Sequence, residues 1–308
     1  MVAQIPRDKI ALFADVFEAM FYGFSIAMYI ITMWILLRHR TRKQINTGMV
    51  SVACLLFIFS TIHIAIDIYR INEGVFKHPD PIERAAWFRN PALPSWIFKN
   101  SVYSLQTILG DGVVVYRCYK VWGSIRIIIL PSLLWISVVV TSVGSIYSVS
   151  RVTAVPGFLT GTAENWITAF IFAALTCNFI ATALLAFRLA SIDRSARRYR
   201  VGRGLTASVF RVVIDAGALY SFMLLTMLIC TLLKNNGCYF ILKSATSIIS
   251  IAFYLIILRL GLCTWPGGTD VESRASSFHA EALTRPVRPV DVHTDDGCSE
   301  EEGKEVHE

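Results

Sequence analysis

Between residues 15 and 260 the chain repeats one pattern seven times: a run of about twenty mostly apolar residues, then a polar break. The runs fall near 15–37, 47–68, 95–118, 126–149, 165–189, 209–233 and 239–260. Each is long enough to cross a hydrocarbon layer of about 30 Å as a helix. None alternates strictly between apolar and polar positions, which excludes barrel strands, and inside lipid a helix satisfies its own backbone polar groups. The pattern predicts an all-α protein, a polytopic seven-transmembrane-helix bundle over residues 15–260. Residues 1–14 are expected to be a short external tail, too short and polar for the core of a cleavable signal peptide, so that the first span directs insertion.

Composition agrees, with 55% hydrophobic and 17% charged residues and a mean hydropathy of +0.55. These values are far from the balance of a soluble domain. Orientation follows from the basic residues, because Lys and Arg in short loops resist translocation. The first, third and fifth connections carry 14 of them, including Arg38, Arg117 and Arg188. The N-terminal tail and the even connections carry 9, several beside acids such as Asp8, Glu73, Asp80 and Glu83. The N-terminus is therefore expected outside and the C-terminus in the cytoplasm, in the plasma membrane or an endomembrane.

The net charge of +7 divides unevenly. Residues 261–308 hold 4 basic and 11 acidic side chains, leaving 25 basic against 11 acidic in residues 1–260. The positive charge sits in loops where anionic lipid headgroups account for it, which argues against nucleic-acid binding. The expected partners are the lipid bilayer and a cytoplasmic effector at the basic loops and the acidic tail. That tail, rich in Ser, Thr, Pro and acid and without an apolar face, is expected to be disordered. Cys54, Cys177 and Cys230 lie within spans as small apolar groups. Cys238 stands alone among the external connections, and Cys263 is an interfacial thiol open to palmitoylation. No Cys/His cluster has zinc spacing, and no metal or other cofactor is expected.

Chemistry inside the bilayer must come from polar side chains, because each is costly there unless paired or hydrated. They fall into three depth layers. Near the outer face are Glu18 on the first span, His63 and Asp67 on the second, Lys99 on the third and Lys243 on the seventh. His63 and Asp67 are four apart on one helix face and within reach of a hydrogen bond. Acids on two helices oppose bases on two others, which suits a polar cavity open to the outside, although long side chains this near the interface also snorkel. The middle layer, Gln106, Thr176 and Asn178, suits hydrogen bonding between helices. In the inner layer Asp111 and Asp215 sit at similar depth on the third and sixth spans, with Arg117 and Arg211 nearer the cytoplasm. Gly110 and Gly112, and Ala216 to Ala218, permit a close crossing there. An inner ion network between these two spans is expected, either a static lock or a cytoplasmic gate.

Three runs carry a resemblance: Leu109 to Trp122 (LGDGVVVYRCYKVW), Asp215 to Ser221 (DAGALYS) and Ile248 to Gly261 (IISIAFYLIILRLG). Together they resemble a large family of seven-span membrane proteins abundant in mushroom-forming fungi. The resemblance implies a fungal integral membrane protein of this topology and assigns no catalytic or ligand-binding residue. Where that family has Ser after the acid, this chain has Ala216 after Asp215.

A receptor-like signalling protein is the first functional expectation, since seven spans, an external N-terminus, Arg117 near the cytoplasmic end of the third span and a basic fifth connection match the plan of G-protein-coupled receptors. Tyr116-Arg117-Cys118 lacks the acid of the common rhodopsin-like motif, and no Asn-Pro-x-x-Tyr occurs, so the expectation lies outside that class. Lys243 is too near the outer end of its helix for a retinal Schiff base. A small-molecule or ion transporter is the alternative, supported by the intramembrane charges alone. A membrane enzyme is least supported, because His63 is the one histidine within the bundle and no nucleophile, base and orienter form a motif.

Overall fold

A computed structural model describes residues 7–38, 47–91, 93–151, 161–197, 205–233 and 237–263. Eight helices make up nearly all of these residues: α1 (Arg7–Arg38), α2 (Thr47–Phe76), α3 (Pro81–Arg89), α4 (Pro94–Trp122), α5 (Ile125–Ser150), α6 (Thr162–Arg197), α7 (Leu205–Leu232) and α8 (Gly237–Cys263). No strand occurs among the described residues. The seven long helices coincide with the seven apolar runs, extended by several residues at most ends. α1 begins at Arg7, inside the segment expected to be a tail, and α8 runs on to Cys263. The acidic segment beyond it lies outside the described residues.

Six of these helices contain stretches long and apolar enough to cross a membrane: Phe13–Leu37, Thr47–Phe76, Ile125–Ser150, Thr162–Ile192, Val213–Leu232 and Phe240–Leu258. α4 differs for a visible reason. Its 29 residues, about 43 Å at 1.5 Å per residue, include Lys99, Gln106, Asp111, Arg117 and Lys120. Most of these polar groups are turned inward. α4 packs against α2, α5, α6 and α8, while α1 joins α2 and α8, α5 joins α6, and α7 bridges α6 and α8.

The short helix α3 was absent from the sequence pattern. Pro81 opens it after Asp80, in the favoured first-turn position, and it packs against α1 and α2. Gly123 closes α4 in the left-handed conformation, φ 63°, which a side chain with a Cβ adopts at a cost. That cap lets α5 start after only one further residue.

The outer surface of the bundle is apolar as well as its core. On α5 the exposed residues Ile129, Leu133, Ile136, Val140, Val143 and Tyr147 form one outward stripe, spaced alternately by four and three. On α2 the buried stripe is Ala53, Leu56, Ser60, His63, Asp67, Arg70 and Gly74, on the same spacing but increasingly polar. Apolar faces this extensive, enclosing buried polar groups, belong in lipid. The chain is a multi-pass helical membrane protein.

Candidate functional site

Four helices bring their ionisable side chains together at one level of the bundle, the half expected to face outward. Glu18 on α1, His63 and Asp67 on α2, Lys99 on α4 and Lys243 on α8 are each at most 2% exposed. The inward stripes explain the meeting: Ala14 and Glu18 on α1, His63 and Asp67 on α2, Lys99 and Tyr103 on α4, and Lys243 and Ser247 on α8 all recur at three- or four-residue spacing.

Lys99 Nζ donates to both oxygens of Asp67, at 2.6 and 2.5 Å. Lys243 stands 3.6 Å from Oδ1 of the same carboxylate and donates to Asp15 on α1. Asp15 thus belongs to the cluster, although the sequence reading omitted it at the edge of the first span. Its signal was the three-residue offset from Glu18, which puts both acids on one face. His63 does not hydrogen-bond Asp67 as its spacing suggested. Their closest approach is 3.8 Å, and His63 Nδ1 instead meets Glu18 Oε1 at 2.7 Å.

The hydrogen-bond pattern fixes the preferred tautomer. His63 Nδ1 faces a Glu18 oxygen, which only accepts when the carboxylate is ionised, while Nε2 is buried without a partner. The ring proton therefore belongs on Nδ1, donated to Glu18. Three carboxylates then face two ammonium groups and a neutral imidazole, so the six-residue cluster carries one excess negative charge when every acid is ionised. Glu18, His63 and Asp67 also place one ligand atom each within 4.8 Å of one another. They fit a metal ion poorly, because Lys99 occupies both Asp67 oxygens and Lys243 adds a second positive charge beside them.

One layer deeper, Gln106 Nε2 donates to the Thr246 carbonyl at 2.7 Å and Ser250 Oγ at 2.8 Å, and Ser250 meets Ser60 at 2.8 Å. These bonds tie α2, α4 and α8 together. Asn178 links α6 to α7 through Ser221 Oγ at 2.8 Å and the Gly217 carbonyl at 3.3 Å. Thr176 makes no bond to another helix among the described residues: it is half-buried and donates to the Phe172 carbonyl of its own helix at 2.8 Å.

The expected inner network does not form among the described residues. Asp111 is buried, and neither carboxyl oxygen has a hydrogen-bond partner. Asp215 is exposed on α7. Arg117 is buried with both terminal nitrogens unpartnered, and the Arg211 side chain lies outside the described residues. The small residues serve other neighbours than expected. The space beside Gly110 is filled by Phe253 of α8, that beside Gly112 by Trp135 of α5, and that beside Gly217 by Thr182 of α6. Matched depth was correct for neither pairing nor facing, because depth says nothing about azimuth.

A further buried cation escaped the sequence reading. Arg70, one turn beyond Asp67 on α2, lies between Trp87 of α3 and Trp96 of α4, with its guanidinium 5.0 and 5.3 Å from the ring centroids. Its Nη1 donates to Ser95 at 2.9 Å. α3 thereby covers this end of the helix pair with an aromatic clamp.

Comparison with protein-family models, curated proteins and solved structures gives no match for this chain.

Proposed function

We propose that the protein is a seven-span, receptor-like signalling protein with its N-terminus outside and its C-terminus in the cytoplasm, and that the outer-half ion cluster is its sensing element. α4 is the seventh span, crossing with its charges turned into the bundle. The observation that carries the reading is the buried cluster of Asp15, Glu18, His63, Asp67, Lys99 and Lys243, which joins four helices at one level. A switch needs an element with two discrete arrangements. An ion cluster shared by four helices supplies one, because a ligand or proton that competes for one carboxylate frees its lysine and the helix behind it. The inner half, with Asp111 and Arg117 unpaired, has no ion pair among the described residues and is the half free to rearrange. Membership of the fungal seven-span family is part of the same proposal and rests on the three runs quoted above.

Continuous helices favour a receptor over a transporter. Many transporters bind substrate at helices broken near the bilayer midplane, whereas the seven long helices here run unbroken through their described lengths. The full chain in nanodiscs, tested for nucleotide exchange on added heterotrimeric G proteins, and in liposomes, tested for solute and proton flux, separates the two. Asp67→Asn should open the cluster and raise exchange several-fold with no flux. Flux in the wild type that this substitution abolishes, with exchange unaffected, would replace the receptor reading by transport.

A further inference from the structure

Arg117 carries a charge that no described residue compensates. It lies five residues before the end of α4, is 8% exposed, and leaves Nη1 and Nη2 without a partner. A guanidinium keeps its charge in proteins, and a buried charge without a counter-charge is strongly unfavourable. The nearest acid along the helix, Asp111, is six residues away. That is about 9 Å of rise and roughly 120° of rotation, a different face, and its oxygens reach no donor. Asp215 is exposed.

Arg117 instead lines a small cavity between α4, α6, α7 and α8, walled by Val114, Leu185, Val213, Tyr220 and Phe253. The cavity volume is ≈ 10 Å³, about what one small occupant needs. Neutral water would hydrate the guanidinium but leave its charge uncompensated. A phosphate group, with several oxygens, is too large. Asn178, on the same wall, spends its amide hydrogens on Gly217 and Ser221, which leaves Arg117 and the buried, unpartnered Tyr220 hydroxyl as the donors to an occupant. Positive charge nearby raises the local concentration of anions: Arg188 stacks on Trp122 at 5.2 Å, and Lys120 sits in the last turn of α4.

We propose that this cavity is a small-anion site in which Arg117 holds a chloride-sized monoanion between α4, α6, α7 and α8. The site is separate from the outer cluster, and its test does not depend on the signalling reading.

The experiment uses the full chain in zwitterionic-lipid nanodiscs, melted in sodium gluconate progressively replaced by sodium chloride at constant ionic strength. Chloride should raise the melting temperature saturably, by roughly 3–6 °C at about tenfold excess over its dissociation constant. Arg117→Gln should remove that dependence and melt in gluconate at or above the wild type, because the uncompensated charge is gone. Val213→Leu, which fills the cavity from α7 and keeps Arg117, should also remove it, and decides the matter if the glutamine variant fails to fold. A chloride-insensitive wild type would overturn the proposal, as would a chloride effect undiminished in Val213→Leu. Loss of the chloride effect when anionic lipid is added would assign the charge to a headgroup instead and overturn it too.

Discussion

Asp67→Asn is the most informative single change, because Asp67 is the hub of the outer cluster. Its carboxylate accepts from Lys99 at 2.6 and 2.5 Å and faces Lys243 at 3.6 Å. At an effective dielectric of about 20 those two attractions amount to about 6 and about 5 kcal/mol before desolvation is counted. The net loss is smaller, since burying the ions offsets most of that attraction. Removing one member of a buried pair and orphaning the other costs about 3–5 kcal/mol. Lys99 is the orphan here, as both its hydrogen bonds go to Asp67, whereas Lys243 keeps Asp15. The melting temperature in nanodiscs should therefore fall by roughly 6–20 °C. Lys99→Met should cost less, about 2–4 kcal/mol, because Asp67 retains Lys243. The double variant should melt well above the sum of the two losses, with a coupling of about 2–3 kcal/mol. Additivity within about 0.5 kcal/mol, or an Asp67→Asn loss below about 1 kcal/mol, would show that the pair is hydrated in the membrane and that the cluster is not a closed unit.

The other predictions test packing, the inner layer and topology. A Cβ added at Gly144 would meet the Trp166 ring at 2.4 Å, while one at Gly23 meets nothing within 4 Å; Gly144→Ala should lower stability by about 1–3 kcal/mol and Gly23→Ala should leave it equal or slightly higher, as read by thermal melts of both. Asp111→Leu should be neutral or stabilise by about 1–3 kcal/mol, because it removes an unpartnered buried carboxyl, and Asp215→Asn should fall within about 0.5 kcal/mol of wild type as a change at an exposed position; a large loss in either would restore the inner network. Tags at residues 1 and 308 should be protected from protease on opposite sides of sealed vesicles, and protection on the same side would remove one span from the seven.

The sequence determined what depends on position along a helix. Twenty apolar residues are long enough to cross a bilayer whatever they pack against, so the long helices were readable from composition and run length, and the layer of each polar residue followed from its distance to the helix end at 1.5 Å per residue. The outer layer was legible for the same reason, since Glu18, His63, Asp67, Lys99 and Lys243 share a depth and carry complementary charge. What the tertiary structure decided is rotation and neighbourhood. It brought Asp15 into the cluster, turned His63 from Asp67 to Glu18, placed Arg70 between two tryptophans, and left Asp111 and Asp215 apart although their depths match. It also explains α4, whose charges lower its apparent apolarity although all but Lys120 are buried among the neighbouring helices. The physical reason is that in lipid the apolar requirement acts on the outward face alone. Which face is outward, and which charges meet within, is fixed by how the helices pack around one another, and a linear pattern of residues contains that only in part.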